Sequence, residues 1–220
     1  MQYLTGKEIQ RALLEMLVVF NDICDLEGLR YSLIGGTLLG AVRHKGFIPW
    51  DDDVDLGMPR PDYERFISLC KTGRLPEGYS VTTVTGDWQH PVLVKLCNES
   101  IGVEVPWQGG NGFLWLDILP IDGLPNDDIE LHGRYSSAEK FRRLILFCTA
   151  DRCQGTTGLK CLFKSFLVPL ANLLGLLTWS GKRLDLLGKR TAFGETPWAG
   201  ALTWGLYGPG DAIRFPGGIR

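Results

Sequence analysis

Four aspartates in five residues, Asp51-Asp52-Asp53-Val54-Asp55, begin fifteen residues after a glycine pair, Gly35-Gly36. A strand carrying Asp53 and Asp55 turns both side chains to one face, about 6–7 Å apart. Two carboxylates at that separation repel unless a cation lies between them. Mg²⁺, or Mn²⁺ in its place, suits such a pair, because it takes one or two carboxylates and fills its shell with water and phosphate oxygens. The glycine pair supplies the other half of a site. A turn that opens a helix aims backbone N–H groups at an anion. Together the two features describe a place where metal and backbone hold a polyphosphate from two sides.

Asp117 adds a third carboxylate. It stands alone in an apolar run, Phe113-Leu114-Trp115-Leu116-Asp117-Ile118-Leu119. An unpaired buried charge costs several kcal/mol, so Asp117 needs a partner. A metal shared with Asp53 and Asp55 provides one; a salt bridge, or the exposed face of an edge strand, is the alternative. Thr37 follows the glycine pair, and Arg43, His44 and Lys45 close the same block. The basic residues suit phosphate oxygens and equally suit an exposed loop. Lys95, alone in Val92-Leu93-Val94-Lys95-Leu96, is a further phosphate-contact candidate. Asp51 and Asp52 read either as supporting groups or as a plain acidic loop.

Competing motifs fit poorly. A calcium loop needs glycine at its sixth position and glutamate at its twelfth, where this chain has Leu56 and Asp62. A phosphorylated aspartate ends a buried strand, whereas Trp50, Asp51 and Asp52 precede Asp53. His44, His90 and His132 show no zinc spacing.

The elements that must position these residues follow from periodicity. Thr5 to Glu8 has the form of a capping box, and Ile9, Leu13, Leu17, Phe20 and Cys24 recur at helical spacing. A helix is predicted from about Gly6 to Leu26. Tyr31 to Ile34 reads as a buried strand, and Thr37 to Arg43 as a short helix. Val54, Leu56 and Met58 alternate as in a strand, and Pro61 suits the first turn of a helix running to Cys70. Strands are expected over 80–85, 92–98, 101–105 and 113–119, with a glycine turn at 109–112. Beyond Pro125 the pattern becomes helical, over 127–148, 159–178 and 180–191. No element is expected in the turn-rich stretches 204–210 and 215–218. The fold class is α/β of the α+β kind: a catalytic core over 1–125 with a mixed sheet, then a helical region over 126–220.

With 220 residues, 45% hydrophobic and 22% charged, the chain has a folded protein's composition. A net charge of −2 gives no bulk attraction to nucleic acid. Six cysteines fall at 24, 70, 97, 148, 153 and 161 without a C-x-x-C pair. Met1 to Thr5 leads directly into the first helix, without a signal peptide. Free thiols in a reducing cytosol are therefore expected. Residues 161–177 are the most apolar stretch, interrupted by Lys164, Pro169 and Asn172. A core helix, or a helix lying on a membrane, fits that stretch better than a spanning helix.

Residues 31–55, from Tyr31-Ser32-Leu33-Ile34-Gly35-Gly36 to Trp50-Asp51-Asp52-Asp53-Val54-Asp55, resemble the signature of the LicD family of phosphocholine and related phospho-alcohol transferases. Residues 112–125, Gly-Phe-Leu-Trp-Leu-Asp-Ile-Leu-Pro-Ile-Asp-Gly-Leu-Pro, resemble its second block. The resemblance implies a nucleotidyltransferase-like fold. Gly35 and Gly36 match its turn, Asp53 and Asp55 its acidic pair, and Asp117 its third acid. It implies a CDP-choline or related CDP-alcohol donor and a surface-glycan acceptor, a sugar of lipopolysaccharide or teichoic acid. If that acceptor is lipid-linked, peripheral contact on the cytoplasmic face of a membrane follows. The family pattern continues past the Trp204–Gly210 region, whereas this sequence stops at Arg220. Two rivals stand beside this reading: a D-x-D glycosyltransferase using nucleotide sugars, and a shortened, inactive relative acting as a binding subunit.

Overall fold

A computed structural model describes residues 3–105, 110–149, 158–203 and 213–214. The chain divides into two compact units. The first comprises Met1–Thr82, Leu93–Ile101 and Phe113–Ile121; the second comprises Thr83–Val92, Gly102–Gly112 and Asp122–Arg220. Two segments before the expected boundary near residue 125, Thr83–Val92 and Gly102–Gly112, group with the helical part.

Helix α1 (Gly6–Glu27) opens the first unit, and the expected capping box is in place. The Glu8 amide donates to Thr5 Oγ1, and Glu8 Oε2 accepts from the Thr5 amide at 2.7 Å. Gly28, in the left-handed conformation, ends the helix. Leu13, Phe20 and Cys24 of the predicted stripe are fully buried, Ile9 and Leu17 are half-buried, and Met16, outside that stripe, is fully buried as well. Phe20 meets Tyr31 and Phe66 edge-on, at ring separations of 5.0 and 5.4 Å.

The chain continues through β1 (Ser32–Leu33), α2 (Gly35–His44), β2 (Asp55–Pro59), α3 (Arg60–Lys71) and β3 (Tyr79–Thr83). Two long strands follow, β4 (Val94–Val105) and β5 (Gly110–Gly123). The sheet order is β1-β2-β5-β4-β3. β1 runs antiparallel to β2, and β2 runs parallel to β5. β2 lies inside the sheet with α2 and α3 packed on it, and Asp55, Leu56, Gly57 and Met58 are all buried. The alternation of a half-exposed strand, expected for β2, is therefore absent.

Two strands predicted over 92–98 and 101–105 are one. Asn98-Glu99-Ser100 looks like a turn in sequence, yet it runs on as strand. Glu99 and Ser100 are exposed, and Ser100 donates to the Asn98 side chain from both its amide and its hydroxyl. Polar residues on a solvated strand face cost little, so composition did not separate them from a turn. Residues 110–112 of the expected glycine turn belong to β5; Gly109 lies outside the described residues.

The second unit contains α4 (Asp128–Thr149), α5 (Leu159–Leu173), α6 (Leu176–Gly188), β6 (Trp198–Gly200) and β7 (Ile213–Arg214). β6 pairs antiparallel with the end of β5, Asp122 and Gly123, and with β7. α4 packs most extensively on α6. Their shared core includes Leu131, Tyr135, Ala138, Leu184 and Leu187, with Val92 and Leu124. α5 stops earlier and α6 starts earlier than expected, because Gly175 turns left-handed at φ 71 between them. Cys24, Cys70, Cys97 and Cys148 are free. Cys161 is disulfide-bonded, which corrects the expectation of uniformly free thiols and removes one ground for a reducing compartment. Cysteine spacing alone does not reveal which thiols approach in space; Cys153 lies outside the described residues.

Candidate active site

The parallel pairing of β2 and β5 sets Asp55 directly opposite Asp117. Residues paired this way share a face of the sheet. Asp55 is 6% exposed and Asp117 9%. The ladder extends one residue outward, where the Asp117 amide donates to the Val54 carbonyl at 2.9 Å. Asp53 precedes β2 and is exposed, so it is not the strand partner of Asp55 that the D-x-D spacing suggests. Its charge is nevertheless close. After burial itself, Asp53 is the largest influence raising the Asp55 carboxyl, which Asp117 and Asp51 push further, to about 7. Burial, then Asp51, Asp52 and Asp117, raise Asp53 in turn. Though exposed at its surface, Asp53 thus loses hydration among its neighbours.

Lys95 and Trp115 answer the question of a partner for Asp117. Lys95 Nζ lies 3.4 Å from Asp117 Oδ1 and 3.7 Å from the centre of the Trp115 ring. The indole Nε1–H of Trp115 donates to Asp117 Oδ2 at 3.1 Å. Burial raises the Asp117 carboxyl, and Lys95 and Trp115 pull it back. The salt-bridge alternative is therefore realised, and it leaves room for more. Asp51 Oδ2 and Asp55 Oδ1 are buried and receive no hydrogen bond, and the buried Asp117 Oδ1 is met by the Lys95 ammonium. Lys95 answers Asp117 chiefly, while Asp51, Asp53 and Asp55 crowd beside it.

Those oxygens are hard donors of the kind Mg²⁺ or Mn²⁺ takes. Among the described residues no three acidic, histidine or cysteine side chains already form a metal cage. The donor set thus fits a cation held by one or two carboxylates and completed by water and phosphate. It does not fit a closed structural site.

The glycine pair opens α2 directly. Gly35 adopts φ 56, and a Cβ on Gly36 would lie 3.0 Å from Asp51 Oδ2. The positive end of α2 therefore already faces a carboxylate. Gln10 fixes that loop to α1, its Nε2 donating to the Ile48 and Asp51 carbonyls at 3.1 and 2.8 Å. Thr37, expected to contact substrate, is buried, and its hydroxyl accepts from the Asp55 amide at 2.9 Å. Its role is to seat α2 against the start of β2.

Arg43 and Lys45 stand at the opposite end of α2 from the glycine pair. Both are exposed at the far end of α2, roughly 11–13 Å along the axis from the glycines at 1.5 Å per residue. Lys45 instead caps that helix in the left-handed conformation. Sequence reasoning passed over Trp115. Its signal was its place two residues before Asp117 on the same strand, which puts both on one face.

The proteins that this chain resembles bear on what this arrangement does. Residues 28–133 match the family described as LicD/FKTN/FKRP, nucleotidyltransferase domain. The lipopolysaccharide cholinephosphotransferase LicD of Haemophilus influenzae is 36% identical over 155 residues, 66% of this chain and 54% of that protein. The ribitol 5-phosphate transferase FKRP of Homo sapiens is 42% identical over 76 residues, 34% of this chain and 14% of that protein. An uncharacterized protein of Rickettsia prowazekii is 32% identical over 145 residues, 64% of this chain and 50% of that one. The chain thus spans at most about half the length of these relatives.

Proposed function

This chain belongs to the LicD family by its nucleotidyltransferase domain, and from that premise we propose that it transfers a phosphorylated alcohol to a glycan hydroxyl. The observation that carries the reading is the register of Asp55 against Asp117, with buried carboxylate oxygens on Asp51 and Asp55 that receive no hydrogen bond. The donor is a CDP-alcohol. Phosphocholine is the first candidate, because the relative matched over most of this chain is named a cholinephosphotransferase. The match to a ribitol 5-phosphate transferase keeps the donor class as broad as CDP-alcohols. A surface glycan such as lipopolysaccharide is the acceptor class.

The reaction is an in-line displacement at the phosphorus that carries the alcohol. The acceptor oxygen forms the new P–O bond, its proton leaves to a base, and CMP departs with the electrons of the broken bond. Asp55 and Asp117, with Asp53 at the rim, are the residues to hold a divalent cation. When bound, it neutralises charge on the diphosphate. Lys95 brings an ammonium to the same place, held in position by the Trp115 ring. The first turn of α2 offers backbone N–H groups to phosphate oxygens. Thr37 and Trp115 keep Asp55 and Asp117 in place, and no covalent protein intermediate is needed.

Thermal shift with Mg²⁺ separates this reading from nucleotide-sugar transfer. CDP-choline or a CDP-polyol is expected to raise the melting temperature by several degrees at saturation, and UDP-glucose to leave it unchanged. Stabilisation by UDP-glucose alone would assign the site to glycosyl transfer.

A further inference from the structure

We propose that α5 docks on an anionic lipid surface, with the outer face of α6 adding cations. On α5, Leu162, Phe163, Phe166 and Leu167 are 67, 58, 69 and 42% exposed, and Leu173 and Leu174 at its end 83 and 68%. At about 100° per residue these six side chains fall within an arc of roughly 140°. The opposite side is held by the protein. Val168 and Ala171 are buried there, and Asn172 Nδ2 donates to the Cys148 carbonyl at 3.0 Å. So large a continuous apolar stripe is unusual for a surface facing water alone.

Charge selects the occupant. The chain has 25 Asp and Glu residues, and none falls between Arg152 and Leu184. Lys164 sits within α5, and Lys182 and Arg183 are exposed on α6. The Arg183 guanidinium lies 5.5 Å from the centre of the Trp179 ring, itself 44% exposed. Apolar side chains bordered by Trp, Lys and Arg, with no acid among them, match the boundary between acyl chains and anionic headgroups.

The geometry favours lying on the membrane over crossing it. Among the described residues no single helix is long and apolar enough to span, and the α5–α6 pair is bent by 63°. One face of α6 is committed to the protein: Leu184 is buried, and buried Asp185 pairs with His90 at 3.1 Å and Lys189 at 2.9 Å. The inference rests on the proposed transfer only for its purpose, which is to bring the enzyme to a lipid-carried glycan.

Sedimentation of the full chain with vesicles tests the surface without donor or metal, so its outcome is independent of the transfer assay. Binding is expected to vesicles of phosphatidylcholine mixed with phosphatidylglycerol, not to phosphatidylcholine alone, and to weaken with salt. The pair Phe163→Gln and Phe166→Gln should lower partitioning at least tenfold with the melting temperature unchanged. The pair Lys182→Gln and Arg183→Gln should lower it about tenfold. Absence of binding to the anionic vesicles, or equal binding by the phenylalanine variant, would overturn the proposal. So would a wild-type dimer that the phenylalanine variant converts to monomer, which assigns the face to a second copy.

Discussion

Asp55→Asn is expected to cut transfer by about 10²–10³-fold and at the same time to stabilise the metal-free protein above pH 7. Both effects have one cause. Asp55 is buried, one of its oxygens receives no hydrogen bond, and Asp53, Asp117 and Asp51 oppose its charge. Its carboxyl is raised to about 7 from 3.8. The folded state therefore holds a proton that the unfolded state has already released. This contribution to stability is complete below about pH 4 and is lost as pH rises through the interval from about 4 to 7. The loss is on the order of 4 kcal/mol. Asparagine carries no charge at any pH, so the variant lacks that part of the curve. Melting temperatures in EDTA at pH 5 and pH 8 read the difference directly. Wild type should fall by several degrees relative to the variant between those values, and parallel behaviour would sink the account of Asp55. A bound divalent cation should restore wild type at pH 8, because it prefers the ionised carboxylate.

Gly40→Ala is expected to destabilise the fold by about 2–3 kcal/mol and to slow transfer together with it. A Cβ at this position would lie 2.7 Å from the Gly46 carbonyl oxygen and 2.9 Å from the Ile48 amide nitrogen. Both are backbone atoms, so neither can swing aside as a side chain would. The loop from Gly46 to Asp51 must shift instead, and that loop carries Asp51 to the start of α2. Gly46→Ala is the matched control, since a Cβ there meets nothing within 4 Å. Melting temperatures of the two variants should differ by roughly 5 °C or more. Equal values would show that the close approach of α2 and this loop costs nothing to disturb.

What the sequence disclosed, and what it withheld, follows from how far each signal reaches along the chain. Thr5 and Glu8 are three residues apart, and the capping box they form is local. Asp117 was legible because a charge inside Phe113–Leu119 demands an answer wherever the strand lies. That its immediate answer is Lys95 and Trp115 was not legible, because the Lys95 pairing depends on how β4 and β5 meet. The D-x-D spacing named Asp53 and Asp55 but misjudged their geometry. β2 begins at Asp55, and its burial on both faces is set by elements packed on it, α2 and α3 among them, that periodicity does not see. The placement of Arg43 and Lys45 was hidden for a similar reason. They are near the glycine pair in sequence, but a helix of ten residues separates them from it in space. That Thr37 ties α2 to β2 was not legible either, because its partner, the Asp55 amide, lies eighteen residues away. The end of α5 turned on one glycine, Gly175, whose left-handed backbone outweighed a continuous apolar pattern.

The central claim is that Asp55 and Asp117, paired across β2 and β5, form the centre of phospho-alcohol transfer. CMP release from CDP-choline or a CDP-polyol, measured with Mg²⁺ and a glycan acceptor, tests it most directly in wild type and in Asp117→Asn. The expected result is acceptor-dependent release by wild type and a fall of at least about 100-fold in the variant, with the variant still folded. Wild-type turnover in Asp117→Asn would contradict the account.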